Sequence, residues 1–254
     1  MKNLISTLLV VLFAATFSTA QNARQLVAEM IETLGGKQAF YNLGNVTYDF
    51  SYHDPNASLK LTSKETYVFD GELSYGDFSE HGFLGSNGKV LEGYDGKNAW
   101  VKFNGRVSQD KKANGIARFL RKTNYYWFTM FFKLQDAGVN LKYIGTKKVE
   151  GRDYNLVKVT FGKTVGDAQD TYVLYINKRT KLVDQFLFTI TAFGVTKPKL
   201  MRIRYGVFNG IKIPYDRVYI DSNWNGDIVG KQWVTTYWSN IRFNTKINKA
   251  IFSK

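Results

Sequence analysis

The sequence contains no cysteine. This excludes a disulfide scaffold, a thiolate zinc site, a cysteine nucleophile and an iron–sulfur cluster. Histidine is limited to His53 and His81, with no H-x-x-x-H or similar ligand spacing around either. Both read as surface residues. Acidic residues are also in short supply: 21 Asp+Glu stand against 35 Lys+Arg, a formal charge of +14. No apolar run after residue 20 approaches the roughly 18 residues of a spanning helix. What is present is apolar surface. Hydrophobic residues make up 44% of the 254 and aromatics 16%, enough burial to exclude a disordered chain.

Residues 1–20 (MKNLISTLLVVLFAATFSTA) have the layout of a secretory signal peptide. Lys2 supplies the positive start and Leu4 to Phe13 the apolar stretch. Ser18 and Ala20 are small residues placed for cleavage before Gln21. With no cysteine at the cut to carry a lipid, the expectation is a periplasmic or secreted protein that is not a lipoprotein, with residues 21–254 forming one domain.

Asn22 to Leu34 reads as an amphipathic helix, with Leu26, Val27, Met30, Ile31 and Leu34 on one face and Gly35-Gly36 ending it. Strands follow. Tyr48, Phe50 and Tyr52 alternate with polar residues; so do Val157, Val159 and Phe161, and Met201, Ile203, Tyr205 and Val207. Period-two alternation marks strands with one wet face. Asp70-Gly71, Asp95-Gly96, Asn209-Gly210 and Asn225-Gly226 are pairs suited to tight turns. About eleven strands joined mostly by hairpins predict a curved antiparallel sheet or partial barrel. The fold class is therefore mainly β with helices.

Residues 113–134 interrupt that pattern. Ile116, Phe119, Leu120, Tyr126, Trp127, Met130, Phe131 and Leu134 recur at helical spacing, predicting a helix with a break near Thr123-Asn124. Tyr125, Phe128 and Phe132 fall off this stripe, so the second half is apolar on more than one face. Such a helix is buried or has a hydrophobic partner. It reads either as core plugging the open side of the sheet or as a lid over an apolar cavity.

No catalytic motif emerges. Gly85-Ser86-Asn87-Gly88 lacks the leading glycine of a nucleophile elbow, and Gly35-Gly36-Lys37 is not a phosphate loop. Asp221 to Asp227 matches the opening of a calcium loop, but Gln232 stands where the bidentate Glu belongs, and a turn at Asn225-Gly226 explains the same residues. Asp167, Asp170, Asp184, Glu65 and Glu92 are scattered and read as solvated surface charge. Lys and Arg are dispersed rather than striped, unlike a nucleic-acid surface. The cluster Lys111, Lys112, Arg118, Arg121 and Lys122 flanks the aromatic helix and either suits an anionic membrane surface or lipid head or belongs to a generally basic surface.

The order of elements, together with Tyr94-Asp95-Gly96-Lys97-Asn98-Ala99-Trp100 and the strand–turn–strand from Tyr175 to Phe186, resembles the LolA/LolB-like superfamily of periplasmic lipoprotein carriers. The segments Tyr126-Trp127-Phe128, Val183 to Thr189 and Ser222-Asn223-Trp224 also resemble an uncharacterised group of exported Bacteroidetes proteins. The first resemblance implies an unclosed β-barrel with a helical lid and a cavity for acyl chains. The chain lacks the Arg-Pro pair those carriers usually bear early in the sheet, and it continues past residue 208 with further strands.

The expected function is a non-enzymatic binder or carrier of a lipophilic ligand, without cofactor or metal, making transient contact with an anionic membrane surface. Tyr126, Trp127, Met130 and Phe131 would form the lid face and Trp100 a wall. Arg118, Arg121 and Lys122 would hold an anionic head at the rim. The alternatives are a secreted hydrolase using paired carboxylates and a structural or interaction protein of the cell envelope.

Overall fold

The computed structural model describes residues 22–85, 88–163 and 165–254. The leader read in residues 1–20 lies outside them. The chain is mainly β: among the described residues thirteen strands form one antiparallel sheet that does not close. Helix α1 covers residues 22–34 and α2 Lys37–Asn42. The first strands are β1 (Asn45–Asp54), β2 (Leu59–Val68), β3 (Leu73–His81), β4 (Val90–Tyr94), β5 (Ala99–Phe103) and β6 (Arg106–Val107). Helix α3 (Lys111–Thr129) comes next, then β7 (Val139–Val149), β8 (Arg152–Phe161), β9 (Tyr172–Asn177) and β10 (Val183–Ile190). The last are β11 (Val195–Phe208), β12 (Ile211–Asp221) and β13 (Val234–Phe243). The count exceeds the eleven read from alternation; a two-residue strand such as β6 is too short to show a period.

The chain divides into two compact units. One comprises the residues up to Leu34, Lys133–Arg202 and Asp221–Val229; the other Gly35–Phe132, Ile203–Ile220 and Gly230–Lys254. In the first, β7, β8, β9 and β10 pair consecutively, and β10 pairs with the opening half of β11. β9 is buried along its whole length (Tyr172 to Asn177). Strands covered on both faces read as continuous apolar runs, as YVLYI does here. The apolar stripe of α1 is buried, with Val27, Met30 and Leu34 fully so, and Glu29 pairs with Lys181 at 3.4 Å.

In the second unit the strand order is β6-β5-β4-β3-β2-β1-β13-β12, and α3 lies over β3, β4 and β5. Hairpin chemistry sets these registers. Asn209 (φ 50°) and Gly210 (φ 80°) both take the left-handed conformation that a two-residue turn needs between β11 and β12. At the β4–β5 turn, Asp95 Oδ1 accepts from the backbone N–H groups of Lys97 (2.9 Å) and Asn98 (2.6 Å). Those bonds, that from Asn98 foremost, hold the Asp95 carboxyl below its ordinary pKa. The core is aromatic. Phe40 stacks on Phe69 and Phe132, and Phe128 lies 5.1 Å from Tyr48 and 5.0 Å from Trp238, centroid to centroid. Each such pair contributes about 0.5–1.5 kcal/mol beyond area burial.

Helix α3 departs from the sequence reading in two ways. It runs unbroken from Lys111 to Thr129, with Asp110 capping it through a 2.7 Å bond from Lys112 N–H. Thr123 and Asn124 do not break it, because the turns on either side are anchored by buried Leu120 and Tyr125, and packing outweighs weak propensity. The buried stripe is also rotated. It follows Ala113, Ala117, Leu120, Arg121, Tyr125 and Phe128, while Ile116, Phe119, Tyr126 and Trp127 are only half-buried.

Candidate functional site

Among the described residues of the second unit two arginines are buried almost completely, one on α3 and one on β12. Their surroundings differ in one respect, the presence of carboxylate.

Arg121 sits on the inner stripe of α3. Beneath it, Glu65 of β2 pairs in register with Gly76 of β3, and Gly76 with Glu92 of β4. The three residues form one row across three strands. A Cβ on Gly76 would stand 2.6–2.8 Å from the guanidinium, so the bare backbone there admits the group between two carboxylates. Arg121 Nη1 and Nη2 donate to the two oxygens of Glu65 at 2.6 and 3.0 Å, and Nε donates to Glu92 at 3.0 Å. All three side chains are fully buried. The remaining acceptor capacity is used as well: Ser63 and Tyr67 hydroxyls donate to Glu65 at 2.6 and 2.7 Å, and His81 Nε2 lies 3.0 Å from Glu92. Burial alone would lower the Arg121 pKa; Glu65 and Glu92 more than reverse that and raise it above the ordinary value.

This cluster corrects three sequence expectations. Arg121 does not lie at a rim; two buried carboxylates hold it inside. Glu65 and Glu92 are not solvated surface charge, and His81 is buried beside them. The local pattern carries the signal: Leu61, Ser63, Glu65 and Tyr67 all take the inward positions of β2, so Glu65 is a charge in an apolar register. The two carboxylates flank one guanidinium and engage their oxygens with it and its neighbours, an arrangement that locks α3 to the sheet.

Arg217 of β12 is a residue to which the sequence reading gives no role. It pairs in register with Thr236, which in turn faces Tyr52 of β1. Only 3% of Arg217 is exposed. Its guanidinium carbon lies 3.8 Å from the Trp238 ring centroid and 5.4 Å from that of Trp127 on α3. Nη1 donates to the Trp127 carbonyl at 3.3 Å, and Nε is buried without a hydrogen-bond partner. No carboxylate among the described residues acts on it. Burial therefore pulls its pKa down, to about 9, against a smaller upward influence of Tyr48, Tyr67 and Tyr205. It remains a cation at neutral pH. The hydroxyls of Tyr52 and Tyr219 bond each other at 2.6 Å, with burial pushing the Tyr52 hydroxyl up to about 12.

The other expected residues fall as follows. Trp100 is buried on β5. Its ring packs over Gly93, where a Cβ would meet it at 2.3 Å, and its indole N–H donates to the Phe252 carbonyl at 2.8 Å. Met130 and Phe131 are buried in the 3-10 turn that ends α3, one turn beyond half-buried Tyr126 and Trp127. Arg118 is exposed and reaches the Lys97 carbonyl at 3.4 Å; Lys122 is half-buried. The structure thus sets Arg118 and Lys122 apart from Arg121, and joins Trp127 to Arg217. His53 is exposed. Asp170 and Asp184 are half-buried, and each accepts from neighbouring side chains.

The calcium-like segment, in the first unit, forms a turn closed by its own side chains. Asn223 Oδ1 accepts from Asn225 and Asp227 N–H at 2.9 and 3.1 Å, Asn223 Nδ2 donates to Asp227, and Asp221 pairs with Lys199 at 2.5 Å. Among the described residues no three His, Cys, Asp or Glu side chains are grouped to hold a metal ion. No helix of the described residues is long and apolar enough to cross a membrane.

Solved structures share this fold. A DUF1329 family protein from Desulfovibrio piger matches with a TM-score of 0.56 at 15% identity, covering 92% of this chain and 97% of its own. A protein domain from Vibrio parahaemolyticus named for outer membrane lipoprotein sorting gives 0.54 at 12% identity, over 92% and 97%. A LolA superfamily protein from Nitrosomonas europaea gives 0.50 at 14% identity, over 86% and 97%. The unclosed antiparallel sheet with its mid-chain helix is thus the LolA-like fold. A search of curated proteins finds no match. The model of one sequence family matches residues 8–202, most of the chain, and the protein accordingly belongs to DUF6503, a family of unknown function.

Proposed function

We propose that the protein is an exported, non-enzymatic carrier or binder of a lipophilic ligand, working in the periplasm or beyond the cell. The observation that carries the reading is the second apolar face of α3. The inner stripe from Ala113 to Phe128 already packs on the sheet. Yet Ile116, Phe119, Tyr126 and Trp127, on another side of the helix, are also apolar and half-buried. A helix apolar on more than one side is buried or has a hydrophobic partner; the half-exposed part of this second side is the apolar area offered to the ligand. Tyr126 and Trp127 contact the ligand, with Met130 and Phe131 as the packed turn behind them. The fold shared with a LolA superfamily protein and with a domain named for lipoprotein sorting supports this reading. So does the leader-like composition of residues 1–20.

Affinity would come mainly from burial, about 0.8 kcal/mol per CH₂. The test is native mass spectrometry of the purified protein, with organic extraction of what accompanies it and a second run after exposure to envelope lipid extract. A stoichiometric lipid is the expected result. Y126S/W127S should lose it while keeping the circular dichroism of the parent. An apo mass in both runs would refute the reading.

A further inference from the structure

Among the described residues, the two other buried basic side chains of this unit have carboxylate partners. Arg121 has two carboxylates and His81 has Glu92. Arg217 has none among the described residues. Taking a guanidinium out of water costs several kcal/mol unless a counter-charge and hydrogen-bond acceptors replace the water. The Trp238 and Trp127 rings offset part of that cost. The Trp127 carbonyl accepts one N–H, and Nε has no hydrogen-bond partner among the described residues. A guanidinium carries five donors, and among the described residues the Trp127 carbonyl takes one of them.

We propose that Arg217 is an oxyanion-binding residue, holding the carboxylate or phosphate head of an amphiphile whose chain lies among the aromatic side chains. This deepens the lipophilic-ligand reading and rests on it. The guanidinium fork matches an oxyanion bidentately, and such charge-assisted bonds are about twice as strong as neutral ones. Its surroundings suit the apolar part as well. The rings against it include Trp238 and Trp127, the latter half-buried on the side of α3 assigned to ligand contact. The arrangement puts one fixed positive charge among apolar rings, the complement of an anionic head on a hydrocarbon chain. The site uses Trp127 of α3, the residue already assigned to ligand contact, and connects it to a strand on which sequence reasoning placed no function.

The experiment compares four probes on the purified protein by isothermal titration and tryptophan fluorescence: palmitate, hexadecyl phosphate, hexadecanol and inorganic phosphate. Palmitate and hexadecyl phosphate should bind at least tenfold more tightly than hexadecanol, and inorganic phosphate far more weakly than either. Whichever of the two anionic amphiphiles binds more tightly identifies the head group. R217M should erase the preference while retaining hexadecanol; R217K should keep part of it. Comparing head groups on the unmodified protein keeps the test valid if R217M fails to fold. Equal binding of hexadecanol and palmitate overturns the proposal and leaves the lipophilic reading standing. Inorganic phosphate binding as tightly as hexadecyl phosphate overturns the amphiphile assignment. Binding of no probe overturns both.

Discussion

Arg121 and Arg217 lie in the same compact unit, are buried to nearly the same degree, and each faces aromatic rings. They differ in what answers the charge. Around Arg121 the sheet supplies Glu65 and Glu92 on either side of a glycine, with Ser63, Tyr67 and His81 completing the acceptors' bonds. Around Arg217 it supplies rings, one carbonyl and no carboxylate among the described residues. The pKa values move in opposite directions for that reason, up for Arg121 and down to about 9 for Arg217. A buried cation with its partners in place holds structure together. A buried cation without them has donors to offer elsewhere, and on this contrast we assign one arginine to stability and the other to a ligand.

The sharpest way to break the comparison is to remove each charge. Arg121→Met leaves two buried carboxylates facing each other and should cost about 3–5 kcal/mol of unfolding free energy, or prevent folding altogether. Arg217→Met removes a charge that has no carboxylate, and should change stability by no more than about 1 kcal/mol in either direction. Urea unfolding of both variants decides the matter. Equal losses would mean that Arg217 is as structural as Arg121.

A second test aims at the space rather than the charge. Gly76→Ala puts a Cβ within 3 Å of the Arg121 guanidinium and should cost about 1–3 kcal/mol by overpacking. Gly115→Ala on α3, where nothing lies within 4 Å, should be neutral or stabilising by up to about 1 kcal/mol. Thermal melts of the pair would show whether the glycine under Arg121 is there for fit.

Alkaline pH probes buried phenols of the same unit. Burial raises the pKa of Tyr48 and Tyr67 well above the ordinary value, aided by Glu65, and raises that of Tyr52 to about 12. Below pH 10 these phenols are protonated whether the chain is folded or not, so they impose no pH dependence. Above it the unfolded chain ionises first. Stability should be lost as pH rises from about 10 toward 12, followed by circular dichroism. A flat profile over that window would show the phenols are not buried as described.

A modest effect belongs to a turn residue whose bonds go to neither guanidinium. Asp95→Ala removes the acceptor for two turn amides and should cost about 1 kcal/mol by the same urea assay. It should leave head-group preference unchanged, which makes it the control for the Arg217 variants.

Much of the fold is legible in the chain. Alternation marks β1, β8 and β11, Asn209-Gly210 marks a turn, and the stripe of α1 is buried as its spacing implies. Periodicity misplaces the inner face of α3 because Arg121 occupies an inner position. A charge in the buried stripe makes the neighbouring aromatic side look like the inner one. Glu65, Glu92, His81 and Arg217 escape for the same reason, since period arguments sort residues by polarity and these charges stand where apolar residues are expected. A polar residue kept in register between apolar ones, as Glu65 is between Leu61 and Tyr67, or Arg217 between Ile213 and Tyr219, is the signal that could have found them.

The sequence by itself determined which segments are strands, where several of them turn and that one helix is apolar on two sides, because alternation, turn chemistry and helical periodicity are local. Only the tertiary structure decided which charges share an interior. Glu65, Glu92 and Arg121 meet because β2, β3 and β4 pair in one register beneath α3, and Arg217 meets Trp127 and Trp238 because β12 and β13 pair beside them. Whether a buried charge is answered depends on neighbours that lie tens of residues away along the chain, and no local pattern carries that information.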